Sequence, residues 1–295
     1  MSGDSGTPGD WARYWRAERQ PLEAMHAHFR SHVYHRHSHE TYSFGVTDTG
    51  AQAFACRGGQ HVSAPGMVMT FNPDDPHDGH AATEPGFTYR MIHIGPDLVT
   101  DLLAGADGRP PARPLFPLPV VADAALAARL RQLHAVLTGT STPLERHEHL
   151  TATVSRLARH AAGAGSRPGP DQGPAGLAVA GPASRIRDLL HDRYASPLTA
   201  DDLAAAADCS RYAAYRAFSA AFGLAPSEYQ RQLRLRSARQ MLGAGMPVSR
   251  VAAEVGFADQ AHLNRWFRRC YGVTPGAYRS ASRSGLTLAG RGRCG

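Results

Sequence analysis

A block of residues near the C-terminus occurs twice. Phe218, Gly223, Pro226 and Tyr229 return 49 positions later as Phe267, Gly272, Pro275 and Tyr278, with Arg216 matched by Arg265 and Phe222 by Tyr271. Further upstream the offset is 48, aligning Leu203-Ala204-Ala205 with Val251-Ala252-Ala253, which a one-residue difference in the intervening turn explains. A solenoid needs at least three such units to bury a continuous core. Two copies therefore read as a duplicated helical module, running from about Ser184 to Arg279.

Each copy has the layout of a helix-turn-helix. In the first, Thr199 to Ala207 reads as a helix whose N-terminal turn is favoured by Asp201 and Asp202. Asp208-Cys209 forms the turn, and Ser210 caps a helix from Arg211 to Phe222 that Gly223 closes. In the second, Ser249 to Val255 is followed by the turn Gly256-Phe257-Ala258, and Asp259 caps Gln260 to Tyr271, closed by Gly272. Helical spacing puts Leu263, Phe267 and Cys270 on one face, with Trp266 beside them, and Gln260, Ala261, Asn264, Arg265 and Arg268 on the other. In the first unit Ala214, Phe218 and Phe222 face inward, while Arg211, Tyr212, Tyr215, Arg216 and Ser219 face outward. Gln, Asn and Arg are the side chains that pair bidentately with adenine and guanine in the major groove. Between the copies, Pro226 to Leu242 reads as a linking helix, with Arg231, Arg234, Arg236 and Arg239 placed to touch phosphates or pair with acids.

Charge supports a polyanion partner for this segment. From Ala183 onward there are 17 Arg against 8 acidic residues, a net of +9, whereas residues 1–182 hold 15 against 17, a net of −2. All 32 basic residues are Arg, which a G+C-rich codon bias accounts for, so only their local placement carries weight.

The run from Leu203 through Ser210, Phe218, Phe222-Gly223, Pro226 and Tyr229, followed by Val251-Ala-Ala-Glu-Val-Gly-Phe257, Phe267, Tyr271-Gly272-Val273-Thr274-Pro275 and Tyr278, resembles the AraC family of bacterial transcription regulators. The resemblance covers about 100 residues and is most specific in its second half. It implies DNA contacts from Tyr212, Tyr215 and Arg216 in the first unit and Gln260, His262, Asn264 and Arg265 in the second. Ala213, Ala214 and Ala217 make the first helix bare, so its readout is expected to be the weaker.

The family also implies a cupin-like antiparallel β-barrel in the N-terminal half. The residues there read as short strands, Ala24–Phe29, Thr41–Val46, Ala51–Cys56, Met67–Phe71 and Thr88–Ile94, separated by Gly, Pro and Asp turns. His35-Arg-His37-Ser-His39-Glu40 and Pro65-Gly66 through Pro76-His77 look like the two halves of a cupin motif. Ten of the 16 histidines lie between His26 and His93. Alternate residues of a strand share a face, so His35, His37 and His39 are expected to converge, with His77 or His80 joining from another strand. Two readings stay open. Imidazoles so arranged suit Zn, Fe or Ni; alternatively they shape an organic effector pocket with Tyr42, Phe71 and Tyr89. No cofactor is required by the second reading, and Glu40 is expected to point away from the cluster.

The expected fold is thus α+β and multidomain. It comprises an extended or disordered segment at 1–20, a barrel with two following helices at 21–162, a linker at 163–182, an all-α DNA-binding domain at 183–282, and a disordered tail at 283–295. The helices after the barrel carry narrow apolar seams, Leu126, Leu130, Leu133, Leu137 and Leu150, Val154, Leu157, fit either to pack on the sheet or to form a dimer. No run of 18 apolar residues and no basic-then-apolar start is present, which points to a cytoplasmic protein without a membrane span. Cys56, Cys209, Cys270 and Cys294 show no CxxC spacing, as expected of free thiols. The expected function is sequence-specific DNA binding controlled by an effector in the barrel, with double-stranded DNA, and RNA polymerase for an activator, as partners. The alternatives are a metal-sensing regulator and, further off, a metal-dependent cupin enzyme fused to a DNA-binding domain. A +9 segment predicts that affinity for promoter DNA falls steeply with salt, the log–log slope counting the phosphates neutralised. A slope near zero would contradict a DNA role.

Overall fold

The computed structural model describes residues 9–17, 20–104, 113–161 and 181–281. Ten strands form two antiparallel sheets. The larger runs in the order β1 (Trp11–Arg16), β2 (Leu22–Phe29), β9 (Phe87–Ile94), β4 (Tyr42–Thr49), β7 (Val68–Phe71) and β10 (Val120–Val121). The smaller runs β3 (Tyr34–His37), β8 (His77–Ala81), β5 (Gln52–Cys56) and β6 (Gly59–Ser63). The sheets face each other as a barrel-like sandwich rather than one closed cylinder.

The larger sheet is buried on both faces, and period-two alternation divides its side chains. Met25, Ala27, Phe29, Met69, Phe71, Tyr89 and Met91 point toward the smaller sheet, joining Tyr34, Phe54 and Cys56. Leu22, Ala24, Tyr42, Phe44, Val46, Val68, Ile92 and Ile94 point the other way, against the helices α1 (Pro96–Leu103), α2 (Ala124–Thr138) and α3 (Pro143–Leu157). A single 3-10 turn, Ala158–His160, follows. Asp123 caps α2 through the Leu126 amide at 2.9 Å and also accepts from Arg156 and His160, so one carboxylate ties the start of α2 to the end of α3. These hydrogen bonds, Arg156 foremost, hold it far below the usual carboxylate range.

Two open expectations are resolved by the structure. All seven seam residues, from Leu126 to Leu157, lie in the same core as Phe44 and Ile92, each at most 3% exposed. Their apolar faces are consumed within the chain, so they are not available as a dimer seam. Secondly, within the segment expected to be extended or disordered, residues 11–16 form the edge strand β1, paired along its length with β2. Four arginine or tryptophan positions in six residues, with no apolar–polar alternation, disguised it. Residues 1–8, most of the expected linker and the expected tail from Arg283 lie outside the described residues.

The second domain comprises α4 (Pro182–Asp192), α5 (Ala200–Ala207), α6 (Arg211–Phe222), α7 (Pro226–Gly243), α8 (Val248–Glu254), α9 (Gln260–Tyr271) and α10 (Pro275–Ala281). Thr199 and Asp202 form a reciprocal cap on α5, Ser210 accepts from the Ala213 amide, and Asp259 accepts from the His262 amide. Gly256, at φ +79°, turns against Ala195, whose carbonyl oxygen would lie 2.0 Å from a Cβ, so this turn admits only glycine. Helix α7 is shared by the two units: Leu233 packs in the core with Phe218, while Leu235, Ala238 and Leu242 pack in the core with Leu263 and Phe267. Leu133→Ala is expected to cost about 2–5 kcal/mol in urea unfolding. A loss below about 1 kcal/mol would contradict the burial of the α2 seam.

Candidate DNA interface and the pocket between the domains

The caps and the shared helix α7 leave one face of α6 and one of α9 open. On α9, Gln260, Arg265 and Arg268 are exposed and Asn264 is half-buried. His262 is also half-buried, and its Nε2 accepts from the Trp266 indole at 3.0 Å, so this ring partly serves the fold. On α6, Tyr212 and Tyr215 are 69% and 53% exposed. Arg216 lies over the Tyr212 ring at 5.6 Å, and Arg211 pairs with Asp201 on α5. The linking-helix arginines do not face outward. Arg234 donates to the carbonyls of Tyr194, Ser196 and Gly256; Arg231 stacks on Trp266 at 3.7 Å; Arg236 and Arg239 pair with acids of the barrel.

The histidines gather as expected only in part. His37, His39 and His77 are buried, and each offers a ring nitrogen within 4.8 Å of the other two. The strand pairing of β3 with β8 shifts register between Tyr34 and His37. That irregularity breaks the expected alternation: His35 lies outside the cluster, half-buried, its ring 5.0 Å edge-on from Trp266. His80 is exposed and does not join. Tyr42 is not in the pocket either. It sits on the opposite face of its strand and donates to the Pro114 carbonyl at 2.8 Å. Phe71 and Tyr89 do line the pocket, Phe71 stacked on His77 at 4.0 Å and Tyr89 hydrogen-bonded to Tyr34 at 2.8 Å. Burial lowers His37, His39 and His77 below the usual imidazole range, and takes His93, beside His39, down to about 3. The cluster is a set of neutral lone-pair donors at neutral pH.

The other wall comes from the second domain: Arg239, Cys270 and Tyr271 close the pocket over the histidines. A space of about 40 Å³ remains, against roughly 10–15 Å³ for a single water, so the pocket has room for an ion or a small molecule. Arg239 is buried and pairs with Glu23 of β2, whose other oxygen accepts from Tyr278 at 2.7 Å and lies 3.2 Å from Arg16. Burial opposes ionisation of Glu23, but Arg239 and Arg16 hold its carboxyl below the ordinary value. The Ser38 amide and hydroxyl donate to Gln232 of α7 at 3.1 and 2.6 Å, and Arg236 reaches Ser38, Asp74 and Glu40. Tyr14 donates to the Tyr271 carbonyl at 2.7 Å. Gly272 turns so close to the barrel that a Cβ would lie 2.6 Å from Phe29 and 3.0 Å from the Tyr34 hydroxyl. Sequence reasoning missed Tyr14, Glu23, His93, Arg239 and Tyr271. Only His93 carried a usable signal, lying at even spacing from Tyr89 and Met91.

A ligand-binding barrel ahead of a double helix-turn-helix defines a two-domain transcription regulator. Residues 19–154 match the AraC-like ligand binding domain, and residues 203–281 match a helix-turn-helix domain. The chain belongs to the AraC family of regulators. It is 26% identical over 230 residues to the uncharacterized HTH-type transcriptional regulator YbfI of Bacillus subtilis (strain 168), covering 77% of this chain and 80% of that protein. It is 36% identical over 95 residues to the transcriptional activator NphR of Rhodococcus sp, 32% of this chain and 27% of that one. Among solved structures, ToxT from Vibrio cholerae superposes with a TM-score of 0.53 at 10% identity, covering 93% of this chain and 99% of that chain, a likeness of fold. No helix among the described residues is long and apolar enough to cross a membrane.

Glu23→Gln leaves Arg239 buried without its counter-charge and is expected to cost about 3–5 kcal/mol, while Glu23→Gln with Arg239→Met costs clearly less than the sum. Because the folded Glu23 carboxyl is held below its ordinary 4.5, its contribution is full above that pH and is lost as pH falls through the lower folded value. Additive losses in a double-mutant cycle, read by urea unfolding, would contradict the pairing.

Proposed function

We propose that the protein is a sequence-specific DNA-binding transcription regulator controlled by a small-molecule effector held between its barrel and its DNA-binding domain. The observation that carries this reading is the pocket itself, whose walls come from both domains. A ligand lodged there touches Tyr271 at the end of α9 and Arg239 of α7, the helix shared by both helix-turn-helix units. Any ligand that prefers one docking arrangement shifts the population toward it, and the same coupling acts back on the effector when DNA binds.

In this reading Gln260, Asn264, Arg265 and Arg268 read or grip one major groove. Tyr212, Tyr215 and Arg216, with few polar groups beside them, contribute mainly backbone and apolar contacts in the next. His262 is engaged by Trp266 and so contributes less than its position in sequence suggests, whereas Arg211, paired with Asp201 only at the exposed surface, remains able to reach a phosphate. The protein acts on the chromosome in the cytoplasm, and as an activator it also meets RNA polymerase. Arg265→Ala is expected to weaken binding to the preferred site by about 1–3 kcal/mol and to relax preference at one base position. The check is a competition titration against a library of single-base variants of a bound promoter fragment. Equal weakening on every sequence would make Arg265 a phosphate contact instead.

A further inference from the structure

Two facts about the histidine cluster are unexplained by an organic-effector pocket. The first is how the rings are aimed. His37 Nδ1 lies 2.8 Å from the His35 carbonyl and His77 Nδ1 lies 2.9 Å from the Asp75 carbonyl. A carbonyl only accepts, so in both rings Nδ1 carries the proton and Nε2 presents its lone pair. Backbone carbonyls fixing the tautomer in this way are the usual outer support of metal-binding histidines. The second is an orphan: the buried Nδ1 of His39 has no hydrogen-bond partner. A buried polar atom without a partner costs about 1–3 kcal/mol and calls for an occupant.

We propose that His37, His39 and His77 form a site for a divalent transition metal, Zn²⁺ foremost, and that loading it is transmitted to the DNA-binding domain through Ser38. The donor set argues for the metal class. Three imidazoles with neither carboxylate nor thiolate among them disfavour Mg²⁺ and Ca²⁺, which want oxygen, and suit Zn²⁺, Co²⁺ or Ni²⁺. Three protein ligands leave one position of a tetrahedral ion open, as in Zn²⁺ sites that accept a further ligand. The rest of the pocket, closed by Tyr271 and Arg239, lies beside it.

Transmission follows from distance. The three nitrogens lie within 4.8 Å of one another, whereas nitrogens about 2.0–2.1 Å from a tetrahedral ion are only about 3.4 Å apart. Binding therefore draws the most widely spaced of the rings together, by at most about 1.4 Å. Two of the three, His37 and His39, flank Ser38, and Ser38 is the residue that Gln232 and Arg236 of α7 grip. Contraction of the cluster pulls on the helix that carries both DNA-reading units. The site stands without the regulator reading; only its consequence for DNA depends on it.

The test uses the full-length chain stripped by a chelator, with Zn²⁺ alone as the probe. Competition against a chromophoric chelator is expected to give one Zn²⁺ per chain bound tighter than micromolar. His77→Gln and, separately, His39→Gln should each weaken it by a hundredfold or more, and exposed His80→Gln should not. Zn²⁺ should also slow amide exchange several-fold along 226–243, and Ser38→Ala should abolish that slowing while keeping the metal. No stoichiometric binding, or binding unchanged in both cluster variants with native circular dichroism, would overturn the site. Slowing that persists in Ser38→Ala would overturn the route. If Zn²⁺ binds and slows exchange but the protein grips no promoter DNA, this proposal survives and the regulator reading fails.

Discussion

One buried ion pair between the domains, Glu23 with Arg239, holds the rest of the arrangement in place. Its members lie 216 residues apart, and Tyr278 of the last helix completes the set from a third direction. Taking two charges out of water costs several kcal/mol each, and only close geometry with the remaining lone pairs satisfied offsets that cost. Tyr278 and Arg16 supply those extra bonds.

The pocket depends on that contact. The histidine wall belongs to the barrel and the Tyr271 wall to the DNA-binding domain, so a site of this shape exists only while the domains are docked. The docking surface uses the flank of α7, the Trp266 side and C-terminal end of α9, the end of α6 at Gly223 and the helix beyond α9, and leaves Gln260 and Arg265 exposed. The pocket and the exposed polar faces of α6 and α9 thus lie on different surfaces joined by one helix.

The DNA-binding half was legible because its signals are local. Ser210, Asp259, Gly223 and Gly272 act on helix ends within four residues of themselves, and the duplication let each copy corroborate the other. The barrel strands were legible where they alternate or form apolar runs. The pocket was not, for reasons that are non-local. A register shift in β3, set by its pairing with β8, removed His35 from the cluster that alternation assigned it to. Arg239 reads as a helix-flank arginine fit to touch phosphates or pair with acids, but nothing local marks Glu23 as its partner; the pairing is set by the docking of the two domains. The seam leucines show the same limit, since periodicity identifies an apolar face without saying what covers it.

The most direct measurement of the coupling is the affinity of the full-length protein for a promoter fragment it selects, compared with that of Arg239→Gln and, as control, of its exposed neighbour Gln240→Ala. Arg239 is buried between the domains, away from the exposed side chains of Gln260 and Arg265. If docking and DNA binding share one equilibrium, Arg239→Gln changes the affinity by about fivefold or more while Gln240→Ala leaves it alone. Identical affinities for all three proteins, each folded, would show that the domains bind their ligands independently.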